Sequence, residues 1–478
     1  MADSRGMNIL MIVSDQQRRD LVGCYGCTDV RTPVVDRLAR EGVLFDNAWT
    51  VIPICAPARA SMLTGLRPVH HGITRNPESG EVAGRDFPSE PVCYHNLLSA
   101  RGYRSFHVGK WHVGTVLEPA DCGAWGVYHP GYGYPAEHPH YREYLERRGL
   151  PPFRLTDAFH GRFHDGSRAC VLSARQDQPV EAAIPYYLAE QAIENIRQVA
   201  ADGQPFNLRL DFWGPHVPYL IPEPYYSMYD DVSVPEWPSF RETFEGKPRV
   251  QSDYLDYWGI QDLTWDEWER LVRGCFGYTT LIDDQVGRVL DVLRELGIEE
   301  QTAVFYTADH GGMVGAHRLC DKGPFMYDEI LRVPLIAKIP GVTSAGTREA
   351  TWVYNYDLMP TVLELAGAPA PEGLDAQSLL PVLRGDVSRE NVAFMEFHGH
   401  QLPYTQRVVR TETHKYVFNG PDVDELYDLA ADPHEMTNRV DDTSCRSVLR
   451  DLRERMDAFL RETDDPILRY FADSRLRS

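Results

Sequence analysis

Apolar positions in this chain come in short unbroken runs, separated by stretches where they recur every three to four residues. Met7 to Val13 is one such run, and it closes on Ser14-Asp15-Gln16-Gln17. Thr302 to Thr307 closes on Ala308-Asp309-His310-Gly311-Gly312, and Phe206 to Trp213 closes on Gly214-Pro215-His216. The shorter Gly102 to Gly109 leads into Lys110-Trp111-His112. Runs of this length predict strands covered on both faces, as in a parallel sheet. Between them, Pro33–Glu41, Ala58–Leu66, Tyr186–Ala200 and Thr279–Leu296 carry helical periodicity. Strand alternating with helix predicts an α/β fold: a large, mostly parallel sheet sandwiched by helices. Ligands in such sheets gather beyond the carboxyl ends of the strands, so all four polar exits should face one cleft.

Glu118 to Val180 is rich in Gly, Pro, His and aromatic residues with little periodicity, and it reads as long loops over that cleft. Arg384-Gly-Asp-Val-Ser-Arg-Glu reads as a joint, which divides the chain into a catalytic α/β domain at 1–385 and a smaller α+β unit at 386–478. The second unit should hold short antiparallel strands near Val392, Gln406 and His414, closed by a helix over Ser447–Glu462. Its tail, Pro466-Ile-Leu-Arg-Tyr-Phe-Ala, is apolar and could dock on a second subunit of a homo-oligomer.

Composition narrows the function classes. Over 478 residues, 70 Asp+Glu stand against 48 Lys+Arg, for a formal charge of -22. Without a basic face the chain gains nothing from counterion release, so nucleic acid is excluded as a partner. No apolar run approaches the length of a membrane span, which excludes a membrane partner, and the first residues lack the pattern of a signal peptide. The expected location is cytoplasmic. Nine cysteines show no framework spacing; Cys24-Tyr-Gly-Cys27 has a C-x-x-C form, but no second pair completes a zinc site.

The densest chemistry lies in Cys55-Ala-Pro-Ala-Arg59-Ala-Ser-Met-Leu-Thr64-Gly65. A cysteine opening a helix, with an arginine one turn later, sits in a field that favours an anion. Asp15, Gln16, Asp309 and His310 lie at two strand ends and could supply an oxygen-rich cage for a hard divalent cation.

The pattern C-x-P-x-R with Leu-Thr-Gly after it resembles the signature of the type I sulfatases, members of the alkaline phosphatase superfamily. Further segments are similar to that family's, in the same order: Gly109-Lys110-Trp111-His112, Pro215-His216-Val-Pro218-Tyr219, Thr307-Ala-Asp309-His310-Gly311, Lys322-Gly323, and Glu425-Leu-Tyr-Asp-Leu-Ala-Ala-Asp-Pro-His-Glu435. The resemblance implies an alkaline-phosphatase-like fold and hydrolysis of a small-molecule sulfate ester. It implies that a formylglycine-generating maturation enzyme converts Cys55 to formylglycine, which is both nucleophile and metal ligand. Asp15, Gln16, Asp309 and His310 would be the other ligands. The metal and Arg59 would activate the nucleophile, Lys110 would hold the nucleophile end of the site, His216 would protonate the leaving alcohol beside Lys322, and His112 would take a proton from the second hydroxyl. Asn76, Arg75 and His317 are candidate substrate contacts.

Two segments depart from the family pattern. Asp15-Gln16 stands where two aspartates are common, and Asp309-His310 where Asp-Asn is common. The nitrogen donor makes the site less selective for Ca²⁺, the expected ion, and opens it to Mn²⁺. The Asp-Gln pair also resembles that of phosphonate monoester hydrolases, which leaves phosphonate monoester or phosphodiester hydrolysis on the same scaffold as the alternative. A silent binding protein with an unmodified Cys55 is a third reading.

Overall fold

The computed structural model describes residues 6–77, 87, 92–131 and 135–476. Its centre is a nine-stranded sheet. Asn8–Ser14 lies in the middle, flanked in parallel by Thr302–Ala308 and Phe206–Asp211, and Arg104–Lys110 pairs in parallel with the latter. All seven residues of Asn8–Ser14 and all seven of Thr302–Ala308 are buried, as unbroken apolar runs require. Leu335–Lys338 enters antiparallel, and Val43–Phe45 and Thr347–Glu349 extend that edge.

Helices cover the sheet in two groups. Pro33–Glu41, Ile184–Asp202 and Trp265–Glu295 pack together, and Cys55–Thr64, Tyr94–Ser99 and Leu358–Leu365 form the second group. The long helix starts well before the predicted Thr279, because Thr264 and Glu267 form a capping box that fixes its first turn. Among the described residues no helix is long and apolar enough to cross a membrane.

The segment read as long loops is partly regular. Pro139–Arg148 is helical, and Leu155–Arg162 pairs antiparallel with Arg168–Gln176. These strands escaped the sequence reading because much of the pair faces solvent and offers no apolar run.

After residue 385 the chain forms a four-stranded antiparallel sheet: Val392–Phe397, Gln406–Thr411, His414–Phe418 and Glu425–Asp428. Alternation divides its two faces. Ala393, Met395, Val408, Val417 and Tyr427 join the main core, whereas Val409, Tyr416, Phe418 and Leu426 pack under the helix Arg446–Glu462. The sheet is therefore built into the body along one face. The apolar tail packs on its own chain: Phe471 is fully buried, its ring edge-on to Phe418 at 5.1 Å.

Candidate active site

The strand exits bring polar residues that follow the apolar runs close together. Asn8–Ser14 hands out Asp15 and Gln16, Thr302–Ala308 hands out Asp309 and His310, and Arg104–Lys110 leads to His112. The strands approach closely here: a Cβ on Gly109, whose φ is +106°, would lie 1.9 Å from the Asp211 carbonyl oxygen. Only glycine lets Lys110 emerge at that point. Behind the second exit, the Asn355 amide donates to the carbonyls of Ala308 (2.9 Å) and Asp309 (3.0 Å), fixing the turn.

Cys55 opens the helix Cys55–Thr64, all ten residues of which are buried. Ile54 stands at the N-cap and offers no side-chain acceptor. Asn76 supplies one from outside the helix, its Oδ1 accepting from the Ala56 N–H at 3.0 Å. The structure thus gives Asn76, expected as a substrate contact, a seat one residue from Cys55 with its oxygen committed to the helix.

Asp15, Cys55, Asp309 and His310 converge: one ligand atom from each lies within 4.8 Å of the others, and all four residues are buried. The Cys55 Sγ is 3.1 Å from His310 Nε2 and 3.9 Å from Asp15 Oδ1. Two carboxylates, a sulfur and an imidazole in so small a volume suit a divalent cation. Gln16 stands differently from the expectation. Its Nε2 donates to Asp321 Oδ1 at 2.7 Å, and its Oε1 accepts from the Val217 N–H at 3.2 Å. Both ends of the amide are engaged outside the four-residue cluster; what Gln16 gives the cluster is its backbone N–H, donated to Asp309 Oδ1 at 3.1 Å.

Arg59 knits the acids together. Its guanidinium donates to Asp309 (2.9 Å), Asp15 (2.9 Å), Asp211 (2.6 Å) and the Lys110 carbonyl (2.9 Å). Burial alone would lower its pKa, but the three carboxylates more than reverse that and hold it above the usual arginine value. The Lys110 ammonium lies 2.6 Å from Asp15 Oδ2 and over the Trp213 ring. Burial raises the Cys55 thiol, yet Lys110, Lys322, His310 and a hydrogen bond from His112 outweigh it, and the thiol sits well below its ordinary value. Burial lowers His310, whereas Asp309 and Cys55 push it up to about 9. The residue-55 position is therefore an anion site before any cation is counted.

Beside the four-residue cluster, the Lys322 ammonium contacts His216 Nε2 and lies 3.2 Å from Asp321 Oδ1. His216 Nδ1 faces the Val217 carbonyl and must donate to it, so Nε2 is the nitrogen that accepts from Lys322.

Two expected substrate contacts are engaged with other parts of the chain. Arg75 Nε donates to the His398 carbonyl in the C-terminal part. His317 is fully buried, bonded through Nδ1 to Glu242 (2.8 Å) and stacked 3.6 Å from Tyr327. A positive φ of 50° at the tip of its turn sends the ring into this packed pocket. The sequence reading missed two acids. Asp211 ends the strand Phe206–Asp211 and binds Arg59, and the strand-exit rule would have found it had the apolar Phe212 and Trp213 not extended the run. Asp321, 1% exposed between Gln16 and Lys322, carries no signal beyond adjacency.

A cysteine-headed helix and acid-bearing strand exits over a mostly parallel sheet make a candidate site for hydrolysis of an anionic ester on an alkaline-phosphatase-like scaffold. The chain belongs to the sulfatase family: residues 7–368 match the family model described as Sulfatase, and residues 315–462 match that of the N-sulphoglucosamine sulphohydrolase C-terminal region. It is 29% identical to the sulfatase YidJ of Escherichia coli K12, over 97% of this chain and 89% of that one. With the arylsulfatase of Clostridium perfringens it shares 27% identity, over 94% and 93% of the two chains. Among solved structures it is similar to the phosphonate monoester hydrolase of Agrobacterium radiobacter, at a TM-score of 0.79 and 24% identity over 96% of each chain.

Proposed function

We propose that the protein hydrolyses the sulfate monoester of a small carbohydrate or aryl alcohol, with residue 55 acting as formylglycine. The observation that carries this reading is the setting of Cys55: buried at a helix N-terminus, 3.1 Å from His310, in the field of Lys110 and Lys322. A single thiol or hydroxyl there would stall after accepting sulfate, because it has no second heteroatom to drive elimination. The hydrated aldehyde supplies that second hydroxyl, and a maturation enzyme would have to install it.

Asp15, Asp309, His310 and residue 55 would hold the metal, Ca²⁺ first and Mn²⁺ second. When bound, it would neutralise charge on the sulfate oxygens and make a hydroxyl at residue 55 more acidic. The remaining work falls to side chains of the chain. Arg59 and Lys110 hold Asp15 in place and add positive charge where the anion arrives. The Lys322–His216 pair faces the leaving oxygen and delivers its proton. His112, bonded to residue 55, accepts the proton whose loss expels sulfate. Asn76 fixes the helix end on which residue 55 sits.

The experiment is twofold. The peptide containing residue 55, from protein produced with a maturation enzyme, should have the mass of formylglycine. That protein should turn over aryl sulfates with a higher kcat/KM than aryl phosphonates. An unmodified thiol with no turnover would sink the enzyme mechanism. A marked preference for the phosphonate would favour the second reading, phosphonate monoester or phosphodiester hydrolysis, for which the Asp15-Gln16 pair speaks. Turnover across sulfated monosaccharides and aryl sulfates would then identify the alcohol.

A further inference from the structure

Lys322 lies in a segment without regular secondary structure, from Cys320 to Tyr327. Apart from one tight turn, in which the Phe325 N–H donates to the Gly323 carbonyl at 2.8 Å, its polar groups are answered from elsewhere in the chain. On the N-terminal side Asp321 is bonded to Gln16, and the carbonyls of Cys320 and Asp321 accept from the N–H groups of Val314 and Met313. On the C-terminal side three backbone groups are anchored by the small sheet and the turn after it, while the Tyr327 hydroxyl is held by Lys247 and Gln251. Gln406 Nε2 donates to the Pro324 carbonyl (3.4 Å), the Lys415 ammonium to the Met326 carbonyl (3.0 Å), and the Asp328 N–H to Glu435 Oε2 (2.9 Å). Lys415 lies 2.5 Å from the Asp328 carboxylate and 2.7 Å from that of Glu435. Lys247 closes the cluster, donating to the Glu435 carbonyl (2.7 Å) and the Tyr327 hydroxyl (3.0 Å). Tyr327 in turn donates to Gln251, which donates to Glu425.

Glu425 and Glu435 are the first and last residues of Glu425-Leu-Tyr-Asp-Leu-Ala-Ala-Asp-Pro-His-Glu435, a motif to which the chemistry at residue 55 gives no task. Lys415 has no exposed side-chain surface, and that of Glu435 is 2% exposed. A buried ion pair adds little net stability over apolar packing of the same volume, so stability alone does not account for it. Its geometry does: Lys415 binds the Met326 carbonyl and Glu435 the Asp328 N–H, where the irregular segment meets the helix Asp328–Leu331.

We propose that Glu435, with Lys415, is a positioning residue for the reaction, fixing the segment after Lys322 so that the ammonium stays on His216 and at the leaving oxygen. The inference rests on the role given above to Lys322. It makes the small C-terminal sheet a working part of the site, although none of its side chains joins the four-residue cluster.

The test uses full-length, matured protein and a series of aryl sulfates of rising leaving-group pKa. Mispositioning the proton donor hurts a poor leaving group most, whereas a loss of folded protein hurts all substrates alike. Glu435→Ala and Lys415→Met should lose on the order of tenfold in kcat/KM at the poor end and little at the nitrophenyl end. The steeper dependence should parallel that of Lys322→Ala. Glu435→Gln, whose amide oxygen can still accept from Asp328, should recover much of the loss, and it carries the test if the alanine variant does not fold. A uniform loss across the series, or none, while Lys322→Ala is steep, overturns the inference. A flat Lys322→Ala series would overturn the role of Lys322 itself, and the inference with it.

Discussion

Asp211 accepts a hydrogen bond from Arg59 at 2.6 Å, and neither side chain is exposed to solvent. The same carboxylate accepts two hydrogen bonds from Arg209, at 2.7 and 2.9 Å, so one acid holds two buried guanidinium groups. Asp211→Ala would leave Arg209 with no anionic partner among the described residues and Arg59 with two of its three. Stranding a buried charge typically costs about 3–5 kcal/mol, so urea unfolding should show a loss of that order. A loss below about 1 kcal/mol would mean that water or a shifted side chain replaces Asp211 at little cost.

Asn76 offers a sharper separation. Asn76→Asp keeps an acceptor for the Ala56 N–H and places a negative charge at a helix N-terminus, so melting should be unchanged or slightly raised. The same charge lies beside residue 55 and would repel an anionic substrate, so KM for any sulfate ester should rise. Asn76→Ala should do the reverse to stability, costing about 1 kcal/mol as capping residues do. An aspartate variant with unchanged KM would show that position 76 lies out of reach of the substrate.

Removal of divalent ions should abolish turnover and leave the fold nearly intact. Asp15 and Asp309 are already held by Arg59, and Asp15 by Lys110, so the acids are not left unpaired when the cation goes. Chelation followed by dialysis should therefore shift the melting temperature little, and Ca²⁺ or Mn²⁺ should restore activity. Full turnover in the chelated protein would contradict a catalytic metal.

Away from the site, Asp283 should make stability depend on pH. It caps the helix Pro33–Glu41 from a neighbouring helix, accepting from the N–H groups of Val34 (3.0 Å) and Val35 (2.8 Å). Burial pushes its carboxyl from 3.8 up to about 7, against the opposing pull of those two N–H groups. The folded state thus keeps this proton more tightly than the unfolded chain. The contribution is full below about 3.8 and is lost as pH rises through about 7. In Asp283→Asn, which cannot titrate, that slope should vanish, so the wild type should lose ground to the variant across this window, by at most about 1.4 kcal/mol per pH unit. Parallel melting curves for the two proteins across the same window would refute the assignment.

Much of the site was legible because chemistry and pattern coincide. Asp15 and Asp309 close apolar runs that can only be central strands, and Cys55, Lys110 and His112 fall in a motif. What the pattern could not give was direction. Nothing in the sequence says that the Gln16 amide turns to Asp321 and Val217, or that His317 turns to Glu242 and Tyr327. Both have positive φ values, 60° and 50°, which a strand or turn assignment does not predict. The fold followed the same rule. The buried parallel strands could be read, and the solvent-facing pair at Leu155–Arg162 and Arg168–Gln176 could not. The fourth strand of the small sheet, Glu425–Asp428, stood inside a motif that hid its β character.

Under the proposed conversion of residue 55, the burial of Cys55 also sets a timetable. A side chain 1% exposed, beneath Asp15, Asp309 and His310, is beyond the reach of another enzyme once the sheet has closed. His310 follows Cys55 by 255 residues, which at ordinary rates of synthesis is roughly ten seconds to a minute. Conversion of residue 55 would have to be finished in that interval, or in a chain kept open afterwards. Faster folding would then yield more inert protein, and slow closure of the central sheet would favour activity.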